Sequence, residues 1–140
     1  MQRHGSAVWK GGLKDGNGQV STGSGGLSSA PYTFASRFES GGKTDPEELI
    51  AAAHAACFSM ALSGQLGQAN LKADSIATTA TVTLEKTEAG MTVTASHLAV
   101  KARVPGADKA AFEKAANNAK AGCPISRLLN AKITLEAVLE

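Results

Sequence analysis

"TDPEELIAAAHAACFSMALSGQLG", residues 44–67, opens like a helix, stays small and apolar, and carries a cysteine near its centre. Three residues mark its start. Asp45 is an N-cap, Pro46 suits the first helical position, and Glu48, three after the cap, can reach back to the Asp45 amide. The expected helix runs to about Gly67. Ala51, Ala52, Ala53, Ala55, Ala56 and Ala61 spread around it, with Leu49, Ile50, Phe58, Met60 and Leu62 between them. Such a helix is apolar on nearly every side and needs enclosing all round. A chain of 140 residues rarely encloses one helix that fully. Two copies, sandwiching their helices between two sheets, would do so.

Upstream, "GSAVWKG" (5–11) forms a short strand around Val8 and Trp9, and "KDGNGQVSTGSG" (14–25) supplies Asp-Gly and Asn-Gly turn signals before a second strand. "PYTFASRF" (31–38) reads as a third strand, with Tyr32, Phe34 and Ser36 on one face and Thr33, Ala35 and Arg37 on the other. Downstream, "DSIATTATVTLEK" (74–86) and "MTVTASHLAVKARV" (91–104) alternate at period two and are joined by "TEAG", the pattern of a long antiparallel pair. "PGADKAAFEKAANNAKAG" (105–122) is a second long helix, "PISRLLN" (124–130) a short one, and "AKITLEAVLE" (131–140) a final strand. The order β-β-β-α-β-β-α-α-β, built on hairpins, predicts an α+β fold with mainly antiparallel sheet. No internal repeat or linker divides the chain, so residues 1–140 read as a single domain.

Charged residues make up 19% of the chain, aromatics 4%, and the formal charge is +2, which argues against nucleic acid or an anionic membrane as partner. The first thirty residues lack a signal-peptide core, and the run Leu49 to Leu62 is short and interrupted by His54, so no membrane span is expected. A cytoplasmic protein follows. In that compartment thiols stay reduced, and Cys57 and Cys123 are then reactive, metal-bound or inert sooner than a permanent bridge.

"GGKT" (41–44) imitates the end of a phosphate-binding loop, but Arg37 stands where that pattern needs its first glycine. His54 and Cys57 are half of a possible metal site, yet only His4 and His97 remain as other histidines. A hydrogen-bonded core histidine is the better reading of His54, and a cross-strand polar residue that of His97. Cys57 lies ~15 Å beyond the first turn of its helix, too far for the helix dipole, and needs a cation from elsewhere to become a thiolate. Cys123 sits between Gly122 and Pro124, at or near an N-cap where free amides can favour a thiolate. Taken alone, each thiol reads more simply as a small buried hydrophobe.

The segments "FASRFESGGKTDPEELIAAAHAACFSMAL" (34–62) and "AKAGCPISRLL" (119–129) closely resemble the osmotically inducible protein C (OsmC) family, relatives of the organic hydroperoxide resistance (Ohr) proteins. The opening "HGSAVWKGGLKDGNGQVSTGSGGL" and the closing "AKITLEAVLE" extend the likeness over essentially the whole chain. The resemblance implies a thiol peroxidase that reduces organic hydroperoxides, built as an intertwined homodimer in which antiparallel sheets wrap around central helices. Carried over by position, Cys57 in "AACF" takes the peroxidatic role and Cys123 in "GCP" the resolving role. Arg37 in "SRFE" takes the thiolate-stabilising role, and Glu47 in "DPEE" that of the carboxylate that orients it. The chemistry implied is a Cys57 sulfenic acid followed by a Cys57–Cys123 disulfide. No metal or bound cofactor is implied. The disulfide is reduced by an external dithiol, of lipoyl type on a lipoylated protein by family likeness. Phe34, Leu49, Phe58 and Met60 are candidates to receive the alkyl group, and each could equally be plain core.

Ten residues along a helix separate Glu47 from Cys57 by ~15 Å and about 80° of rotation, so a straight helix does not bring its own glutamate to its own thiol. A second copy crossing antiparallel would, which predicts a site drawn from two chains, with Arg37 acting in cis or across the dimer. Two rival readings stand beside the peroxidase: a module that binds an apolar small molecule in a dimer cavity, and a structural stress protein without catalysis.

Overall fold

A computed structural model describes residues 1–39 and 42–140. The first glycine of "GGKT" and the Ser40–Gly41 part of the loop after Arg37 lie outside the described residues. By internal packing the chain divides into two compact units, Met1–Leu49 and Ile50–Glu140.

In the first unit, β1 (Gly5–Lys10), β2 (Asn17–Thr22) and β3 (Ala30–Tyr32) form an antiparallel sheet in that order. Trp9 faces Gly18 and Gly18 faces Tyr32, placing the three in one row. The Trp9 and Tyr32 rings lie 5.4 Å apart. Gly18 lets them meet, because a Cβ there would stand 2.5 Å from Tyr32 Cε1 and 2.8 Å from Trp9 Cε3.

The expected third strand is cut short, a correction to the reading of 31–38. β3 stops at Tyr32, and Phe34–Phe38 is a helical turn, α1. The cause is a reciprocal cap. The Ser36 amide donates to Thr33 Oγ1 at 3.1 Å and the Thr33 amide donates to Ser36 Oγ at 2.9 Å, so the turn satisfies locally the amides that a strand would have paired with a neighbour. Arg37 therefore projects from the last turn of a helix and not from a strand end.

The long helix α2 spans Pro46–Gln68, one residue beyond its expected end, and its Glu48 amide donates to Asp45 Oδ1 at 2.8 Å. His54, Phe58, Leu62 and Leu66 are buried at intervals of four, while Ala52, Ala53, Ala56 and Met60 are exposed. The chain thus covers one stripe of the helix and leaves the opposite side open. By length and composition α2 is apolar enough to cross a bilayer, which the shorter run Leu49–Leu62 did not anticipate. Its buried stripe and the hydrogen-bonded His54 are features of a core helix.

In the second unit, β4 (Ser75–Thr87) and β5 (Gly90–Arg103) form the expected antiparallel pair. β6 (Lys132–Leu139) joins β5 in parallel, with Ala95 facing Lys132 and Ala102 facing Leu139. A parallel neighbour requires a crossover, and α3 (Lys109–Gly122) with α4 (Pro124–Leu128) supplies it. The sequence order contains this crossover, but hairpin patterning does not reveal its direction. Ser96, Leu98, Val100 and Ala102 line the inner face of β5 at period two. Against them pack Phe58, Leu62 and Leu66 of α2, and Phe112, Ala115, Ala116 and Ala119 of α3. Asp108 caps α3 by accepting from the Ala111 amide at 2.7 Å. Cys123 is the joint between α3 and α4: its amide donates to Ala119 O at 2.8 Å and its carbonyl accepts from Arg127 N at 3.1 Å.

Candidate functional site

The second unit holds the thiols. Cys57 follows the buried His54 by three residues on α2 and is partly buried, whereas Cys123 is wholly buried at the α3–α4 joint. Both are reduced. Cys123 Sγ and Cys57 Sγ lie 2.7 Å apart, so residues 66 apart in sequence stand side by side. A disulfide needs about 2.05 Å between sulfurs, within reach of a small side-chain movement. Burial, and next the contact with Cys123, push the Cys57 thiol above its ordinary range, while the Ile125 amide in the first turn of α4 pulls it down. This amide differs from expectation. The start of α4 was expected to favour a Cys123 thiolate, but Cys123 makes no side-chain cap bond and the amide serves Cys57. Within this unit the surroundings of Cys57 favour the thiol over the thiolate.

His54 has no exposed surface, and both ring nitrogens are satisfied: Nδ1 by Ser96 Oγ and Nε2 by Ser126 Oγ, each at 2.8 Å. Burial lowers its pKa, which keeps the ring neutral. It is the hydrogen-bonded core histidine the sequence predicts. His97 is likewise a cross-strand residue, its Nδ1 lying 2.7 Å from Thr134 Oγ1 on β6.

The first unit holds Arg37 and Glu47. Arg37 Nε stands 3.0 Å from Glu47 Oε2 and Nη2 stands 2.7 Å from Oε1, a side-on, two-point pair. The hydrogen bond to Glu47 raises the Arg37 pKa, burial opposing it, so the guanidinium stays charged. Glu47 uses the Nε–Nη2 edge and leaves Nη1 on the far side of the group. Ser36 joins the two segments that carry the pair. Its Oγ lies 2.9 Å from Thr33 O and 3.0 Å from Thr44 O, so one proton can tie α1 to itself or to the segment leading into α2. The Phe38 ring lies 5.2 Å from Arg37 Cζ. Beside Arg37 opens a cleft of about 260 Å³ lined by Trp9, Leu13, Tyr32, Phe34, Phe38 and Pro46.

Of the residues expected to receive an alkyl group, Phe34 lines this cleft. Leu49 is partly buried, Phe58 sits fully in the core of the second unit, and Met60 is 78% exposed. Ser36, Ile125 and Ser126 were not singled out by sequence. A capping pattern at Thr33–Ser36 could have found the first. Nothing local marks the other two, because their partners are far away in the chain.

Two neighbouring thiols within bonding reach, on an α+β scaffold, are the arrangement of a thiol redox protein. Comparison with known proteins narrows that class. The family model described as OsmC-like protein matches residues 39–138. The chain is 50% identical over 140 residues to Peroxiredoxin OsmC of Escherichia coli (strain K12), covering 100% of this chain and 98% of that protein. The crystal structure of an organic hydroperoxide resistance protein OsmC from Legionella pneumophila superposes with a TM-score of 0.71 at 25% identity, over 98% of this chain and 96% of the other. An OsmC-like protein of unknown function from Vibrio cholerae shares the fold at a TM-score of 0.79 and 17% identity, over 99% of each chain. The chain belongs to the OsmC-like protein family.

Proposed function

We propose that this chain is a thiol-dependent peroxidase that reduces organic hydroperoxides to alcohols, acting throughout as one OsmC-like domain, residues 1–140. The full-length likeness to Peroxiredoxin OsmC supports the activity. The observation that carries the residue assignment is the 2.7 Å approach of Cys57 and Cys123. Cys57 is the nucleophile. Its thiolate attacks the distal peroxide oxygen, the O–O bond breaks, the alkoxide leaves as the alcohol after taking a proton, and Cys57 becomes a sulfenic acid. Cys123 then attacks that sulfur and expels water, leaving a Cys57–Cys123 disulfide. The sum is one hydroperoxide and two thiols giving one alcohol, one water and one disulfide. An external dithiol returns both cysteines to thiols, and we assign a lipoylated protein to that role, with no metal and no bound cofactor.

Arg37 supplies the charge that a Cys57 thiolate needs, and Glu47 holds the guanidinium in place with its Nη1 edge available to sulfur and peroxide. The aromatic cleft beside Arg37 receives the alkyl group, with Phe34 in its wall. A homodimer provides the cover that α2 lacks: the exposed Ala52, Ala53, Ala56 and Met60 offer an apolar face to a second copy. Two such helices crossing antiparallel would bring the start of each near the middle of the other, so that a working site takes its cysteines from one chain and Glu47 with Arg37 from the other. The protein is assigned to the cytoplasm, where thiols start reduced.

The test is an anaerobic thiol titration before and after one equivalent of an alkyl hydroperoxide. A peroxidase loses two thiols per chain and releases one alcohol. Retention of both thiols would leave only a binding or structural protein.

A further inference from the structure

His54 and Ser126 are not used by the chemistry just assigned, yet they sit beside it in a repeated spacing. On α2, His54 precedes Cys57 by three residues; on α4 and its cap, Ser126 follows Cys123 by three. His54 meets Ser126 at 2.8 Å and Cys57 meets Cys123 at 2.7 Å, so the two segments touch at two rungs one helical turn apart and run in opposite directions. The second nitrogen of His54 is fastened to Ser96 on the inner face of β5, so the imidazole is braced by the sheet. α4 itself is weakly held by packing. None of its five residues is buried, Leu128 is 74% exposed, and Ile125 alone among them packs, in part, against the core.

We infer that His54 and Ser126 form a strap that fixes α4 against α2 and thereby sets the closing geometry of the Cys57–Cys123 pair. The inference rests on the proposed redox role of the two cysteines. A neutral imidazole has one N–H and one lone pair, so one serine donates to it and the other accepts from it, and the ring is locked in a single orientation. Ser126 is thus held at a fixed depth, and with it the Ile125 amide and the Cys123 sulfur at the N-terminal end of the same turn. His54 and Ser126 are positioning residues: they touch neither peroxide nor sulfur and act on how readily the second sulfur reaches the first.

The test compares Ser126→Ala with Ser96→Ala in glutathione redox buffers. In these, oxidised glutathione takes two electrons and two protons from the dithiol, giving two reduced glutathiones and the intramolecular disulfide. Each variant removes one hydroxyl from the same ring, but only Ser126 lies on α4. Ser126→Ala is expected to lower the equilibrium constant for disulfide formation about tenfold, through lost effective concentration, with Ser96→Ala, which loosens the ring but leaves its bond to Ser126 in place, lowering it by a clearly smaller factor and Ser126→Thr restoring the value. Equal shifts in both alanine variants, or none in either, would overturn the strap. A measurement needing no substitution accompanies it. In wild-type protein labelled with ¹⁵N-histidine, oxidising the pair should move the Nε2 resonance of His54 more than Nδ1, and two unmoved resonances would count against the inference. Alkyl hydroperoxide is then added separately to wild type. Failure to consume thiols there removes the peroxidase reading while the glutathione result still decides the strap.

Discussion

Replacing Glu47 with Gln removes one charge and leaves the size of the side chain unchanged. In the native pair two N–H groups of Arg37 meet two carboxylate oxygens, at 3.0 and 2.7 Å. An amide offers one oxygen and one NH₂, so one of the two points of contact becomes a donor facing a donor. Charge-assisted hydrogen bonds contribute about 1.5–3 kcal/mol each when shielded from water. Here the Arg37 side chain is 38% exposed and that of Glu47 14%, so solvent screening reduces the loss of folding free energy to about 1 kcal/mol or less. That corresponds to a fall in Tm of only a few degrees, ~2–8 °C. The effect on rate is larger, because a guanidinium free to swing no longer presents its Nη1 edge in one direction. Misplacement of a catalytic group by about 1 Å lowers rates up to ~100-fold, and a drop of 10- to 100-fold in the single-turnover reaction with an alkyl hydroperoxide is expected. Rapid-quench alkylation, read by mass spectrometry, measures that step, and calorimetry measures Tm. Arg37→Lys, which keeps the charge without the planar fork, should fall in the same range. A Glu47→Gln rate within twofold of wild type would refute the orienting role, and a large rate loss matched by a collapse in Tm would reassign Glu47 to folding alone.

Cys57→Ser should abolish turnover, whereas Cys123→Ser should permit one oxidation and then accumulate sulfenic or sulfinic Cys57, seen as a gain of one or two oxygens by intact mass; the opposite pattern would exchange the two roles. Burial lowers the His54 pKa below its unfolded value of about 6.5, so the unfolded chain takes up a proton on acidification that the folded chain refuses. Its contribution is therefore complete above about pH 6.5 and lost as pH falls toward the folded value, and urea midpoints between pH 7.5 and 5.5 should drop more steeply for wild type than for His54→Gln. Mixing Cys57→Ser chains with Glu47→Ala chains should restore about half of normal activity in the mixed dimer, since one shared site carries both lesions and the other none; verified heterodimers without recovery would place each site within one chain.

Much of this arrangement was legible in the sequence because the signals were local. The Asp45–Pro46–Glu48 start, the Pro-Gly and Gly punctuation around α3, and the period-two runs of β4 and β5 are each decided within a few residues of where they act. The stretch 31–38 misled because its alternation also satisfies a strand, and two short polar side chains, Thr33 and Ser36, tipped it into a helical turn through their reciprocal cap. The one-sided burial of α2 was invisible because alanine is compatible with either a buried or an exposed face. At the thiols, the sequence announced Cys57 and Cys123 but not the Ile125 amide or the His54–Ser126 contact, which depend on where a crossover delivers α4. The Arg37–Glu47 pair rested on family likeness, and the structure brings the two together across a loop whose length alone specifies no contact.

The parallel pairing of β6 with β5 gives the thiol pair a second meaning, as a reporter of chain topology. Cys123 lies inside the connection that carries the chain from β5 back to a parallel neighbour, so its sulfur reaches Cys57 when that connection docks on α2. Hairpins form early and locally; such a loop is penalised by its length and forms later. During refolding, the β4–β5 ladder can therefore assemble while the two thiols remain strangers. Quenching a refolding reaction with a mild disulfide-forming oxidant should capture the Cys57–Cys123 bond with the kinetics of crossover docking and not with those of hairpin formation, which makes two native residues a clock for the arrival of the crossover on α2.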